Sequence, residues 1–120
     1  MNTLNAAKIF EALSSEIRLN IFKLLVKHGD SGLVAGDIAE LIGIPSTNLS
    51  FHLKALLFAE LVFVEQEGRF LRYRANIPLM LNIVGFLTEE CCAGQPEKCL
   101  AYRQASGISD NILGLCTKKK

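Results

Sequence analysis

Through the first sixty residues, apolar side chains return every three or four positions, the spacing of one buried stripe on an α-helix. Thr3 to Leu13 reads as a first helix, apolar over a broad side through Leu4, Ala7, Ile9, Phe10 and Leu13. Ser14 or Ser15 caps a second, whose stripe is Ile17, Ile21, Leu24 and Leu25 with Phe22 broadening it. It stops near Lys27-His28-Gly29, with cationic residues in the last turn and glycine just beyond. Asp30-Ser31-Gly32 reads as a loop, and Val34 to Ile42 as a short third helix with Ile38, Leu41 and Ile42 inward. Gly43-Ile44-Pro45 is a tight turn into a fourth helix that reaches Leu61. Proline disfavours helix in the residue before it, and serine is a preferred cap, so Pro45 and Ser46 open this helix with Ser46 as its cap. Leu49, Leu53, Leu56 and Leu57 then make its buried stripe.

After Leu61 the period shortens to two. Val62 to Glu67 alternates weakly and Arg69 to Ala75 clearly, with Leu71 and Tyr73 toward the core and Arg72 and Arg74 outward. Glu67-Gly68-Arg69 sits at the turn, so the pair reads as a two-stranded hairpin with an arginine at its tip. Asn76 to Glu90 returns to helix, with Pro78 suited to the first turn. Its run from Leu79 to Leu87 is apolar around nearly the whole circumference, whereas a peripheral helix needs one apolar face. The spare face predicts a symmetric dimer, with Leu79, Ile83 and Phe86 meeting Leu4 and Phe10 of the first helix at the interface. From Cys91 the expected structure is an irregular tail with one short helical turn near Leu100 to Gln104, ending in Lys118-Lys119-Lys120. The expected fold is mainly α with a two-stranded β-hairpin, a winged helix-turn-helix: residues 1–90 form the winged-helix and dimerisation domain, and 91–120 a cysteine-bearing tail.

Composition narrows the function. A chain of 120 residues, half of them hydrophobic, suits one core. Its formal net charge of +1 excludes a protein that coats nucleic acid through bulk charge, so any DNA contact must be local and geometric. Met1 to Ala7 carries no basic region followed by an apolar run, and the longest apolar run is too short to span a bilayer. A cytoplasmic location without membrane attachment is expected. There, four cysteines are read as thiols, metal ligands or redox sensors rather than structural disulfides.

Two groups of residues carry candidate chemistry. On the fourth helix Thr47, Asn48, Ser50, Phe51 and Lys54 lie opposite the leucine stripe, with His52 at the edge. A short polar face in the first turns suits entry into the major groove. Thr47, Asn48, Ser50 and Lys54 are then candidates for base edges or phosphates, Ser46 for a cap that also touches phosphate, and His52 for helix packing or phosphate. Arg69, Arg72 and Arg74 are candidates for phosphate and minor-groove contact. In the tail, Cys91, Cys92 and Cys99 place three thiols within nine positions. Soft thiolates select soft ions, and a pyramidal three-thiolate site suits As(III) or Sb(III). Lys98 beside Cys99 would favour a thiolate. A four-cysteine zinc site that includes Cys116, a regulatory disulfide to Cys99, and thiols without a role stay open beside it, although no Cys-x-x-Cys pair favours zinc. A winged helix that binds protein instead of DNA is the rival from another class. No arrangement of nucleophile and base points to an enzyme.

These motifs resemble the ArsR–SmtB family of winged-helix repressors. The resemblance rests on Ala12-Leu13-Ser14-Ser15-Glu16-Ile17-Arg18-Leu19-Asn20-Ile21, on Asp37-Ile38-Ala39, on Leu49-Ser50-Phe51-His52-Leu53-Lys54-Ala55-Leu56 and on the hairpin from Val62 to Ala75. It covers roughly Leu4 to Glu90. It implies a homodimer that binds a two-fold symmetric, double-stranded operator and needs no cofactor to fold. The operator is released when an inducer ion binds. Two departures are plain: there is no cysteine before Cys91, and the only histidines are His28 and His52, so two of the family's ion sites are absent. What remains is similar to the arsenic-responsive subgroup whose ligands follow the last helix, here Cys91, Cys92 and Cys99, with Cys116 dispensable.

Overall fold

The computed structural model describes residues 1–91 and 94–109 and divides into two units, Met1–Ile83 and a second that begins at Val84. The first unit holds α1 (Thr3–Ala12), α2 (Glu16–His28), a single 3-10 turn (Gly29–Ser31), β1 (Leu33–Val34), α3 (Ala35–Ile42), α4 (Ser46–Phe58), β2 (Val62–Glu67) and β3 (Phe70–Ala75). α5 (Ile77–Thr88) starts in the first unit and runs into the second, which also contains α6 (Pro96–Ser106).

The helices start and stop where local chemistry directs them. Asn2 caps α1 by accepting from the Asn5 amide, and Ser15 caps α2 by accepting from Arg18. α3 ends at Gly43, whose backbone is left-handed at φ 84°, a conformation that costs glycine little and other residues more. Asn76 serves two ends at once: its side-chain amide donates to Glu60 O at 2.8 Å, and its Oδ1 accepts from Leu79 N in the first turn of α5. The core of the first unit gathers one stripe from each helix. Ile21, Leu25, Ile38, Leu49, Leu56 and Leu61 are its largest fully buried side chains. Each contributes about 1.5–3 kcal/mol by leaving water.

The sheet is larger than the expected hairpin. β1 adds a third antiparallel strand, in the order β1-β3-β2, with Leu33 opposite Tyr73 and Val34 opposite Arg72. Val34, expected to begin the third helix, and Leu33, which lay between that helix and the expected loop, therefore form a short strand. Gly32 makes this docking possible: it is buried at φ 58°, and a Cβ there would collide with the Tyr73 carbonyl. β1 covers β3 only as far as Arg72. Tyr73 and Ala75 are buried, but Leu71, expected inside, lies opposite Gln66 on the uncovered half and is exposed. Leu41 is likewise exposed rather than inward, since α3 closes on the core through Ile38 and Ala39.

Two further expectations change. Ser46 is the first residue of α4 and not its cap; Pro45, extended at ψ 153°, holds the cap position without a side-chain hydrogen bond. Among the described residues of the tail, the helix is longer than expected. α6 spans 11 residues instead of one turn, starting at Pro96, where proline's missing N–H costs nothing, and stopping at the left-handed Gly107. Within the described residues no helix is long and apolar enough to cross a membrane.

Candidate nucleic-acid interface

α4 presents its two faces as its sequence divides them. Leu49, Leu53 and Leu56 are buried, while Ser46, Thr47, Asn48, Ser50, Phe51 and Lys54 are exposed. The pair α3–α4, joined by Gly43-Ile44-Pro45, makes a helix-turn-helix whose second helix offers the polar side of its first two turns to solvent. That face carries hydroxyl, amide and ammonium groups, the donors and acceptors that pair with base edges and phosphate oxygens.

His52 is tied from below. Arg18 on α2 donates through Nε to Ala12 O at 2.6 Å and approaches His52 Nδ1 with Nη1 at 3.4 Å. Arg18 thus links the end of α1 to the middle of α4. Its sequence signal is weak: nothing in the spacing of Arg18 and His52 announces the contact.

The three hairpin arginines separate into two kinds. Arg72 donates to Glu67 Oε1 at 2.9 Å and to Ser31 O at 2.8 Å. Arg74 donates to Glu65 Oε1 at 2.8 Å and to Asp30 O at 2.7 Å. Both charges are offset within the hairpin, and both guanidiniums fasten the 3-10 turn that precedes β1. Arg69 at the tip is exposed, and no ion pair among the described residues engages it. The same holds for Lys54. Among the candidate DNA-contact cations, these two are exposed and outside the ion pairs found among the described residues.

On the candidate dimer surfaces, Leu4 is 66% exposed, Phe10 is exposed, and Leu79 and Phe86 are half-buried. Ile83 is buried within its own chain, so its apolar character needs no partner to account for it. The exposed apolar residues of α5 are Leu81 and Leu87.

Of the cysteines, Cys91 is exposed and follows α5, while Cys99 is buried in the first turn of α6. Lys98 is exposed beside it. Cys92 and Cys116 lie outside the described residues, as do Lys118 to Lys120. Among the described residues no three His, Cys, Asp or Glu side chains converge as a metal site.

A helix-turn-helix domain family matches residues 13–65, the span from the end of α1 into β2. The transcriptional repressor SdpR of Bacillus subtilis (strain 168) is 34% identical over 79 residues, 66% of this chain and 84% of that protein. The arsenical resistance operon repressor of the same organism is 34% identical over 83 residues, 69% of this chain and 74% of that one. The chain belongs to the ArsR–SmtB family. Its three-dimensional likeness agrees: the homodimeric winged helix-turn-helix DNA-binding domain of a possible ArsR-family regulator from Mycobacterium bovis superposes with a TM-score of 0.57 at 27% identity, covering 72% of this chain and 80% of that one. ArsR–SmtB proteins are DNA-binding transcriptional regulators and not enzymes. In this member the family's helix-turn-helix is α3–α4 and the wing is β2–β3, completed by β1.

Proposed function

We propose that this protein is a homodimeric, cytoplasmic repressor that binds double-stranded operator DNA and lets go when As(III) or Sb(III) binds Cys91, Cys92 and Cys99. The observation that carries the DNA half is the polar, exposed face of α4 set against its buried leucines. Thr47, Asn48, Ser50 and Lys54 meet base edges and phosphates, with Ser46 and His52 on flanking phosphates and Arg69 reaching the neighbouring minor groove. Arg72 and Arg74 brace the wing and add longer-range positive potential. Leu4, Phe10, Leu79 and Phe86 close the dimer, over Ile83 within each protomer.

The inducer half rests on donor chemistry and on similarity to an arsenical resistance operon repressor. Three thiolates suit a soft ion with three bonding directions. Cys91 and Cys92 are adjacent and supply two donors at little extra entropic cost. Cys99, buried in the first turn of α6, must be brought to them. That recruitment draws α6 toward the end of α5, and the coupling it needs is modest, about 1–3 kcal/mol or roughly 5–150-fold in DNA affinity.

A mobility-shift assay with the DNA upstream of the protein's own gene, run on reduced, metal-free protein and then titrated with arsenite, tests both halves. Binding that arsenite reverses supports the proposal. No binding at low salt overturns the DNA half, and binding that arsenite leaves unchanged overturns the inducer half. Serine replacements locate the site: Cys91→Ser, Cys92→Ser and Cys99→Ser bind operator but respond poorly to arsenite, whereas Cys116→Ser responds normally.

A further inference from the structure

Phe51 is 75% exposed in the middle of a polar helix face. Leaving that much aromatic surface in water is unfavourable, and the fold gains little from the ring in return. Its ring contact is the edge of His52, with centroids 6.2 Å apart and the planes at 76°. His52 is itself held by Arg18, so the ring beside Phe51 is anchored to α2. Thr47, Phe51 and Lys54 follow one another at the i, i+4, i+7 spacing that places side chains on a single stripe of α4. Phe51 therefore stands between a hydroxyl and an ammonium on the surface read above as the groove-facing one.

A phenyl ring neither donates nor accepts a conventional hydrogen bond, so it cannot read the polar edges of guanine, adenine or cytosine. The major groove offers one apolar feature, the C5-methyl group of thymine. We infer that Phe51 is a specificity-determining residue that reads thymine methyls in each half-site of the operator. The inference rests on the DNA-binding function proposed above and adds a base preference to it. Exclusion of one methyl from water is worth about 0.8 kcal/mol, about fourfold in affinity, and about fifteenfold when both half-sites of a symmetric dimer contribute.

The experiment starts from duplexes that the full-length, reduced protein retains from a randomised pool. In each retained site, thymines are replaced one position at a time, symmetrically in both half-sites, by uracil, which lacks only the methyl. Wild-type protein is expected to lose about fifteenfold in affinity at one symmetric position. Phe51→Ala should bind the thymine duplex about as weakly as wild type binds the uracil duplex, and should not distinguish the two. Phe51 is exposed, so the variant keeps its thermal midpoint. Phe58 is 86% exposed and two turns further along α4, and Phe58→Ala should retain the full methyl effect. A methyl effect that persists in Phe51→Ala overturns the inference, because another residue then reads the methyl. No methyl effect in wild type also overturns it and leaves the Phe51–Phe58 surface as a protein-docking face. Failure to retain any duplex overturns the DNA-binding reading together with this one.

Discussion

The second helix of the helix-turn-helix, α4, and the tail helix α6 have similar lengths, 13 and 11 residues, yet they relate to their own sequences in opposite ways. α4 buries its leucines and exposes its polar groups. α6 buries a thiol and a guanidinium, Cys99 and Arg103, and exposes Leu100 and Tyr102. A helix with a regular apolar stripe chooses its buried side by itself, because one orientation removes far more apolar area from water than any other. A helix without such a stripe takes its orientation from its surroundings. The element proposed to read DNA is thus set by local pattern, and the cysteine-bearing element by tertiary context.

The largest expected effect separates those two cases. Leu56 is fully buried, and Leu56→Ala should cost about 2–5 kcal/mol and lower the thermal midpoint accordingly. Leu100→Ala, on the exposed side of α6, should change stability by at most about 0.5 kcal/mol. Equal costs would erase the distinction. Next in size is the dimer surface. Phe86→Asp buries an unpaired charge if Phe86 meets a partner, at several kcal/mol, and sedimentation should then report folded monomer. Ile83→Asp places the same charge inside the protomer and should instead unfold it. A folded, fully dimeric Phe86→Asp protein would move the interface elsewhere.

A finer contrast lies within the wing. Arg69→Ala should weaken DNA binding and reduce the slope of log affinity against log salt by about 1 for each protomer whose phosphate contact is lost. Arg72→Ala and Arg74→Ala should leave most of that slope intact. Each loses a surface ion pair worth about 0.2–1 kcal/mol and a hydrogen bond to the 3-10 turn, so the change appears chiefly in stability. Should Arg72→Ala flatten the salt slope as much as Arg69→Ala, the intramolecular pairs do not hold on DNA. The smallest effect concerns Tyr73. Burial raises its phenol above the ordinary 10.0, so the folded state keeps its proton to higher pH than the unfolded chain does. Stability is unaffected by this group below pH 10.0 and falls as pH climbs above it. Tyr73→Phe should remove that fall in denaturant midpoints measured across the alkaline range.

Much of the first unit was legible from periodicity alone. Leu49, Leu53 and Leu56 placed α4, the pair Ser14-Ser15 placed the start of α2 without choosing between them, and the alternation from Arg69 to Ala75 placed the wing, because each signal involves residues a few positions apart that share one backbone geometry. What escaped involves partners far apart in the chain. The strand at Leu33–Val34 is two residues long and exists only because β3 lies beside it and Gly32 lets the backbone pass Tyr73. The anchoring of Arg72 and Arg74 on the carbonyls of Ser31 and Asp30 spans about forty residues, and that of Arg18 on His52 spans 34.

The sequence by itself determined the helix-turn-helix, the polar face of its second helix, the wing and the thiols available to a soft ion. These follow from side-chain character and spacing, which act over one or two turns of chain. Tertiary structure decided which of three wing arginines faces solvent without an ion pair, why His52 is tethered, that Ile83 is already covered within the protomer, and that Cys99 starts buried in a helix instead of lying in a loose tail. Those outcomes depend on which groups meet across long stretches of chain, and a hydrogen bond or buried surface of that kind leaves no period in the sequence.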